Sequence, residues 1–259
     1  MNRRFLCLFL LLFSPMAATA ADEPLRTDLH EQVVQVPTRV EGLFFSKDVT
    51  LTATVYRPDG DGPFPLVVLS HGTAPHPSDR VKIGRYRKLP QIREFIKRGF
   101  AVIVPIRRGH GATGGDYAED KGKCSAPIYY EAGRAGGRDI IAAMDYAAKL
   151  PYVKPGCLLL VGQSSGGFAS LAAASMNPNG LIGVVNFSGG HGGDPATRPG
   201  EPCDVQSLTA TVANYSQTIR VPVLWHYAEN DKFFSTRHVR EWFAAFEKAG
   251  GKGRLVIQP

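Results

Sequence analysis

The chain has 259 residues, long enough to bury one sizeable α/β core, and neither a linker nor an internal repeat divides it. Its formal net charge of +7 comes from scattered basic residues, and the densest basic run, Lys82, Arg85, Arg87 and Lys88, lacks aromatic interleaving and any nucleic-acid motif. Nucleic acid is therefore excluded as a partner, and four cysteines without CxxC or His-rich spacing give no reason to expect a metal.

The first residues pair a basic start, Asn2-Arg3-Arg4, with an apolar run from Phe5 to Phe13 and the small-residue sequence Ala18-Thr19-Ala20. This is the pattern of a signal peptide over residues 1–20, with the mature domain running from Ala21 to residue 259. The apolar run is too short to span a bilayer and nothing later approaches the required length. The expectation is an exported, periplasmic or secreted protein that leaves the membrane after cleavage. Cys7 departs with the signal, and Cys157 begins an apolar strand where a small thiol needs no function. Cys124 and Cys203 remain, both in polar stretches rich in turn residues. In an oxidising compartment two such cysteines can pair, although a sequence does not establish their separation.

Val33–Val36 and Val49–Tyr56 read as strands, the second with the period-two alternation of an antiparallel edge hairpin. Turn residues from Arg57 to Pro63 lead into a continuous apolar strand, Pro65–Ser70, which ends in His71-Gly72-Thr73. Leu89–Arg98 has helical spacing and stops at Gly99, before the apolar strand Phe100–Val104. The stretch Gly109–Gly114 is a literal GxGxxG after a strand. A dinucleotide site would need its last glycines to open a helix, whereas Gly115–Gly122 is polar and turn-rich, so we read a tight loop and expect no cofactor. A helical stripe spans Ala135–Leu150 and ends before Pro151.

The apolar run Cys157–Val161 then leads into Gly162-Gln163-Ser164-Ser165-Gly166, followed by the small-residue run Ala169–Ala174. A serine at a strand-to-helix reversal must adopt a strained backbone, and Gly162 and Gly166 remove the bulk that would forbid it. The Ser164 hydroxyl then stands exposed, and the unpaired N–H of Ser165 at the helix start points where negative charge develops on an attacked carbonyl. Leu181–Phe187 is a further buried strand, Gly189–Glu201 an irregular, site-lining loop, and Leu208–Tyr215 a short helix. Val221–Tyr227, Thr236–Ala249 and Arg254–Ile257 close the chain as strand, helix and strand. Such alternation implies an α/β fold with a mostly parallel sheet of about eight strands, helices on both faces and the site at the strands' carboxyl ends.

Taken together, His71-Gly72-Thr73 after the third strand, Arg107-Arg108-Gly109-His110-Gly111 after the fourth, the elbow at Ser164 and Glu229-Asn230-Asp231 after the seventh resemble the α/β-hydrolase superfamily, in its dienelactone-hydrolase-like and carboxylesterase-like branch. The resemblance runs from about Val49 onward. It implies Ser164 as nucleophile, Asp231 as triad acid with Glu229 as fallback, and the N–H groups of Thr73 and Ser165 as oxyanion donors. His71 is expected to shape the oxyanion loop. The superfamily places its catalytic histidine after the eighth strand. That strand here runs to Gln258-Pro259, so the expectation is a chain that stops short of the catalytic loop. His238 reads as a surface residue of an amphipathic helix, His226 lies inside a strand, and His191 can face the site from its loop. The implied activity is hydrolysis of a small-molecule ester through an acyl-enzyme. A peptidase of the same fold, or a binding module that keeps the fold without a catalytic histidine, are the alternatives.

Overall fold

The computed structural model describes residues 24–41 and 46–259. The signal-peptide expectation falls on residues 1–20, outside the described residues. In chain order the elements are β1 (Gln32–Glu41), β2 (Ser46–Tyr56), β3 (Phe64–Ser70), the single turn α1 (Pro77–Arg80), α2 (Leu89–Lys97), β4 (Ala101–Pro105), α3 (Tyr129–Ala147), β5 (Val153–Gln163) and α4 (Ser165–Ser175). There follow β6 (Leu181–Phe187), β7 (Gly193–Asp194), β8 (Arg198–Pro202), α5 (Val205–Ser216), β9 (Val223–Ala228), α6 (Thr236–Lys248) and β10 (Gly253–Gln258).

Eight strands form one sheet in the order β1-β2-β4-β3-β5-β6-β9-β10. From β4 to β10 every neighbour is parallel, while β2 runs antiparallel to both β1 and β4. The polarity follows from the sequence patterns. β3 and β4 are near-continuous apolar runs and are buried on both faces, whereas β2 alternates, as a strand in a half-exposed hairpin must. On one face α3, α4, α5 and α6 cover the sheet with Ile140, Phe168, Leu208, Val239, Trp242 and Phe246, and on the other α2 seats Ile92 against Val67, Leu69, Val102, Val104 and Val161. Among the described residues no helix is long and apolar enough to cross a membrane.

Three local readings change. Helix α3 starts at Tyr129, six residues before the apolar stripe reveals it, because Gly133, Gly136 and Gly137 weaken the helical signal. Those glycines face α4, where Gly136 meets Ala169 and Gly137 meets Ala173, so the helices pack closely. The segment from Gly189 to Glu201 is not wholly irregular, since β7 and β8 form a small antiparallel pair within it. Cys157 sits within β5 rather than at its start, half-buried and with a free thiol.

Candidate active site

Ser164 lies between β5 and α4 with φ +55° and ψ −126°, a conformation costing on the order of 1–3 kcal/mol for a non-glycine residue. The surrounding backbone holds it there. Its N–H donates to the Phe187 carbonyl at 2.9 Å, and its own carbonyl accepts from Phe168 N–H at 3.1 Å and Gly190 N–H at 3.2 Å. The turn is so tight that a Cβ on Gly162 would lie 2.2 Å from the Gly166 carbonyl oxygen, and one on Gly166 would lie 2.3 Å from that of His71. The two glycines are therefore a steric requirement of the elbow, as the sequence reading expects.

Ser165 follows at the start of α4, and Thr73 sits on the loop after β3. Their hydroxyls are hydrogen-bonded to each other at 2.8 Å. Among the described residues neither N–H is taken by a backbone carbonyl, which leaves both available to an oxyanion. The two hydroxyls belong to a circuit. Arg107 Nη2 donates to Ser165 Oγ at 3.3 Å, Ser165 to Thr73, and Thr73 to His110 Nε2 at 3.0 Å, while His110 Nδ1–H returns to the Arg107 carbonyl at 3.3 Å. This direction assigns the neutral Nδ1–H tautomer to His110, whose pKa is lowered to about 4, chiefly by burial.

Arg107 is fully buried, and it ties the strand ends together. Its Nε donates to Glu119 Oε1 at 2.6 Å, and its Nη1 to Ser70 Oγ at 2.7 Å and to the His71 carbonyl at 2.6 Å. Burial pushes the Glu119 carboxyl up, but the Arg107 charge and hydrogen bonds outweigh it and hold the group below the usual range. His71 accepts the Arg107 backbone N–H on Nε2 at 3.1 Å and donates Nδ1–H to the Gly72 carbonyl at 2.8 Å. Burial, then the Arg107 charge, hold it well below its ordinary pKa. It is a neutral structural residue of the loop after β3. The Arg107–Glu119 pair escapes a sequence reading, because Glu119 lies in a stretch that shows only polar turn character.

Asp231 follows β9 and accepts the N–H groups of Phe233 at 2.8 Å and Phe234 at 3.2 Å on one carboxylate oxygen. It lines a cavity of about 330 Å³ together with Ser164, Thr73, Tyr86 and Gln163. The α6 N-cap is Ser235, so Asp231 is not the capping residue of that helix. Glu229 is exposed at the end of β9.

All seven histidines are described, and none is hydrogen-bonded to the Ser164 hydroxyl. His191 shares a second cavity, of about 170 Å³, with Ser164, and its Nε2–H donates to the Glu119 carbonyl at 3.1 Å. Burial lowers its pKa to about 4. His226 is half-buried in β9, edge-on to Phe187. His238 is not a surface residue: it is 3% exposed, stacks on Trp242 and contacts Glu201 Oε2 at 2.6 Å and Glu241 Oε2 at 3.2 Å. The long side chains of those two acids cover a position that helical periodicity places at the rim. No group of three or more His, Cys, Asp or Glu able to hold a metal occurs among the described residues.

The Cys124–Cys203 pair is a disulfide with its Cα atoms 4.9 Å apart, joining the loop that carries Glu119 to the end of β8. Gly109–Gly114 is a turn closed by a His110–Gly114 bridge and opens no helix, in keeping with the rejected dinucleotide reading.

The sequence model described as the dienelactone hydrolase family matches residues 83–259, more than half of the chain and every element from α2 onward. The chain belongs to the dienelactone hydrolase family. No curated protein matches it in sequence. Solved structures place the family's α/β-hydrolase fold on it. An esterase of Pyrococcus furiosus is 17% identical with a TM-score of 0.62, over 94% of this chain and 87% of that one. An acetyl xylan esterase from Paenibacillus is 16% identical with a TM-score of 0.59, over 93% and 84%. An acylaminoacyl peptidase of Pyrococcus horikoshii is 13% identical with a TM-score of 0.59 over 88% of this chain, which spans only 37% of that larger protein. At such identities the likeness is one of fold. The family supports hydrolase activity.

Proposed function

We propose that the protein is an exported serine hydrolase that cleaves carboxylic esters through an acyl-enzyme on Ser164. One observation carries the reading: Ser164 is held at positive φ at the head of α4, facing a cavity it shares with Asp231 and Thr73. The Ser164 oxygen adds to the ester carbonyl carbon as its proton passes to a base, and the N–H groups of Thr73 and Ser165 receive the negative charge on the carbonyl oxygen. The bond to the alcohol breaks as the alcohol takes up a proton. Water then splits the acyl-enzyme, releasing the carboxylic acid and restoring the hydroxyl. Asp231 orients the base and stabilises its charged form. The Cys124–Cys203 disulfide supports export, since such bonds persist in oxidising compartments.

A second reading is favoured by one observation, the lack of any histidine hydrogen-bonded to Ser164 among the described residues. Without a base the 259-residue form binds esters and turns them over slowly, because loss of the base in such a triad costs on the order of 10⁴–10⁶ in rate. A fluorophosphonate probe with mass mapping, run beside p-nitrophenyl acetate hydrolysis, separates the two. The enzyme reading expects labelling at Ser164 and loss of both signals in Ser164→Ala. Turnover that persists in that variant removes Ser164 from the mechanism, and the absence of both labelling and turnover in the parent protein supports the binding module.

A further inference from the structure

Ser164 is not alone in its strain. Among the described residues five non-glycine residues have positive φ, and three of them line one cavity: Ser164, Tyr86 at φ +48° and Ser188 at φ +44°. Such backbone persists only where its surroundings over-determine it, and it clusters at functional sites. Tyr86 and Ser188 also line a further cavity, of about 460 Å³, on the α2 side of the sheet. With Gln163 they are the residues this cavity shares with the one holding Ser164 and Asp231, so the strained pair flanks the passage from the nucleophile.

Strand alternation sets the chemistry of this cavity. Val161 of β5 and Val185 of β6 pack on the α2 face, and Leu160 and Val184 on the other, so the period of two sends Gln163 and Phe187 to the α2 face as well. There Phe187, Val161, Leu69 and Phe95 of α2 form the walls, and Phe187 is 38% exposed. The Tyr86 hydroxyl donates to Gln163 Oε1 at 2.7 Å, and the Tyr86 ring stands edge-on to the buried His71 at 5.6 Å, which fixes both side chains at the threshold. The charged members, Lys88 and Glu94, are exposed, and Glu94 is held by Arg98 at 2.6 Å and Lys97 at 3.1 Å. No lining residue has a buried polar side-chain atom without a partner, so nothing in the walls calls for a polar ligand.

We propose that this groove binds an apolar chain of the ester, which runs from Ser164 between Tyr86 and Ser188 to the α2 face of the sheet, with the Tyr86–Gln163 pair as its threshold. At roughly 30 Å³ per heavy atom its volume corresponds to about fifteen atoms, so a chain of about eight carbons fits with room to spare. Burying such a chain against Phe95, Val161 and Phe187 removes apolar surface from water on both sides, and the preferred esters are those of medium-length aliphatic groups. The assignment rests on Ser164 as the reacting centre, and the test separates the two claims.

Binding of methyl butyrate, methyl hexanoate and methyl octanoate is measured by calorimetry on the full chain carrying Ser164→Ala, alone and with Phe187→Asp or Gln91→Glu added. These two changes place a carboxylate on the sheet wall and on the helix wall of the groove. Folding is checked by thermal melting, and the exposed position of Gln91 on α2 keeps the test intact if Phe187→Asp does not fold. Affinity is expected to rise about three- to fourfold per methylene. Each carboxylate should flatten the series, whereas Phe187→Leu should keep it. Equal affinities along the series, or a rise that survives either carboxylate in a folded variant, overturns the proposal. In parallel, ethyl and octyl fluorophosphonates are reacted with the Ser164 protein and its Phe187→Asp variant. Faster labelling of Ser164 by the octyl probe, lost in Phe187→Asp, is the expected result, and equal rates overturn the path from Ser164 into the groove. A failure of both probes to label Ser164, beside an ester series that Phe187→Asp flattens, removes the serine reading and leaves the apolar site standing.

Discussion

The Ser165 and Thr73 hydroxyls lie 2.8 Å apart, which ties together by their side chains the two residues proposed to give their backbone N–H groups to an oxyanion. An oxyanion hole works only if its donors are fixed before charge develops, and these donors come from loops after different strands. The hydroxyl contact couples them directly, and Arg107 and His110 extend the coupling to the end of β4. The elbow is therefore rigid for three reasons: backbone pinning of Ser164, close approach at Gly162 and Gly166, and this side-chain circuit.

Breaking the circuit should loosen the oxyanion hole without removing a donor. Ser165→Ala or Thr73→Val is expected to lower the rate of Ser164 acylation by a fluorophosphonate about 10-fold, less than the 10²–10³ lost when a donor itself is deleted. The double variant should lose less than the sum of the two single losses, because both remove the Ser165–Thr73 contact while each also removes one of its own, to Arg107 or to His110. Additive losses in the labelling kinetics would show that the two hydroxyls act independently.

The Cys124–Cys203 disulfide closes a loop with a sequence separation of 79 and joins the loop after Glu119 to the end of β8. Arg198 strengthens it, donating to Cys124 Sγ at 2.7 Å and to the Gly192 carbonyl at 3.2 Å, next to His191. Replacing both cysteines with serine should cost about 2–4 kcal/mol and lower the melting temperature by about 5–15 °C. The oxidised protein without residues 1–20 should show one thiol, Cys157, under denaturing conditions. Three thiols, or melting curves that ignore a reductant, would contradict the bond.

Much of this site is legible in the sequence because its local rules are strict. Ser164 between two glycines after an apolar strand has few readings, and turn residues mark the loops at Thr73 and Asp231 as strand ends. What stays hidden depends on tertiary contact. Glu119 is one polar residue among many until the fold buries it against Arg107. His238 misleads for the same reason: helical spacing places it at the rim, and Glu201, from β8, closes over it.

Three buried neutral histidines give the stability a definite pH dependence. His110 and His191 have folded pKa values near 4 against an ordinary 6.5, in each case first because burial disfavours the charged form, and His71 shifts the same way. Between pH 6.5 and 4 the unfolded chain thus binds more protons than the folded one, so this contribution is complete above about pH 6.5 and is lost as pH falls toward 4. Glu119 acts in the same sense at lower pH, its folded carboxyl being held down beside Arg107. Asp139 opposes them: burial raises its carboxyl to about 6 despite its contact with Arg108, so it favours folding as pH falls from about 6 to 4. The histidines prevail by number. Urea unfolding at intervals from pH 7 to pH 4.5 should show stability falling throughout, and protonation of His110 should also reverse the hydrogen bond it accepts from Thr73. His191→Gln should be less stable at pH 7 yet flatter over this range, by about one proton's worth of slope, and Asp139→Asn should be steeper. A His191→Gln profile parallel to that of the parent would show that His191 titrates alike in the folded and unfolded chains, and that its burial and its contact with the Glu119 carbonyl do not hold the ring neutral.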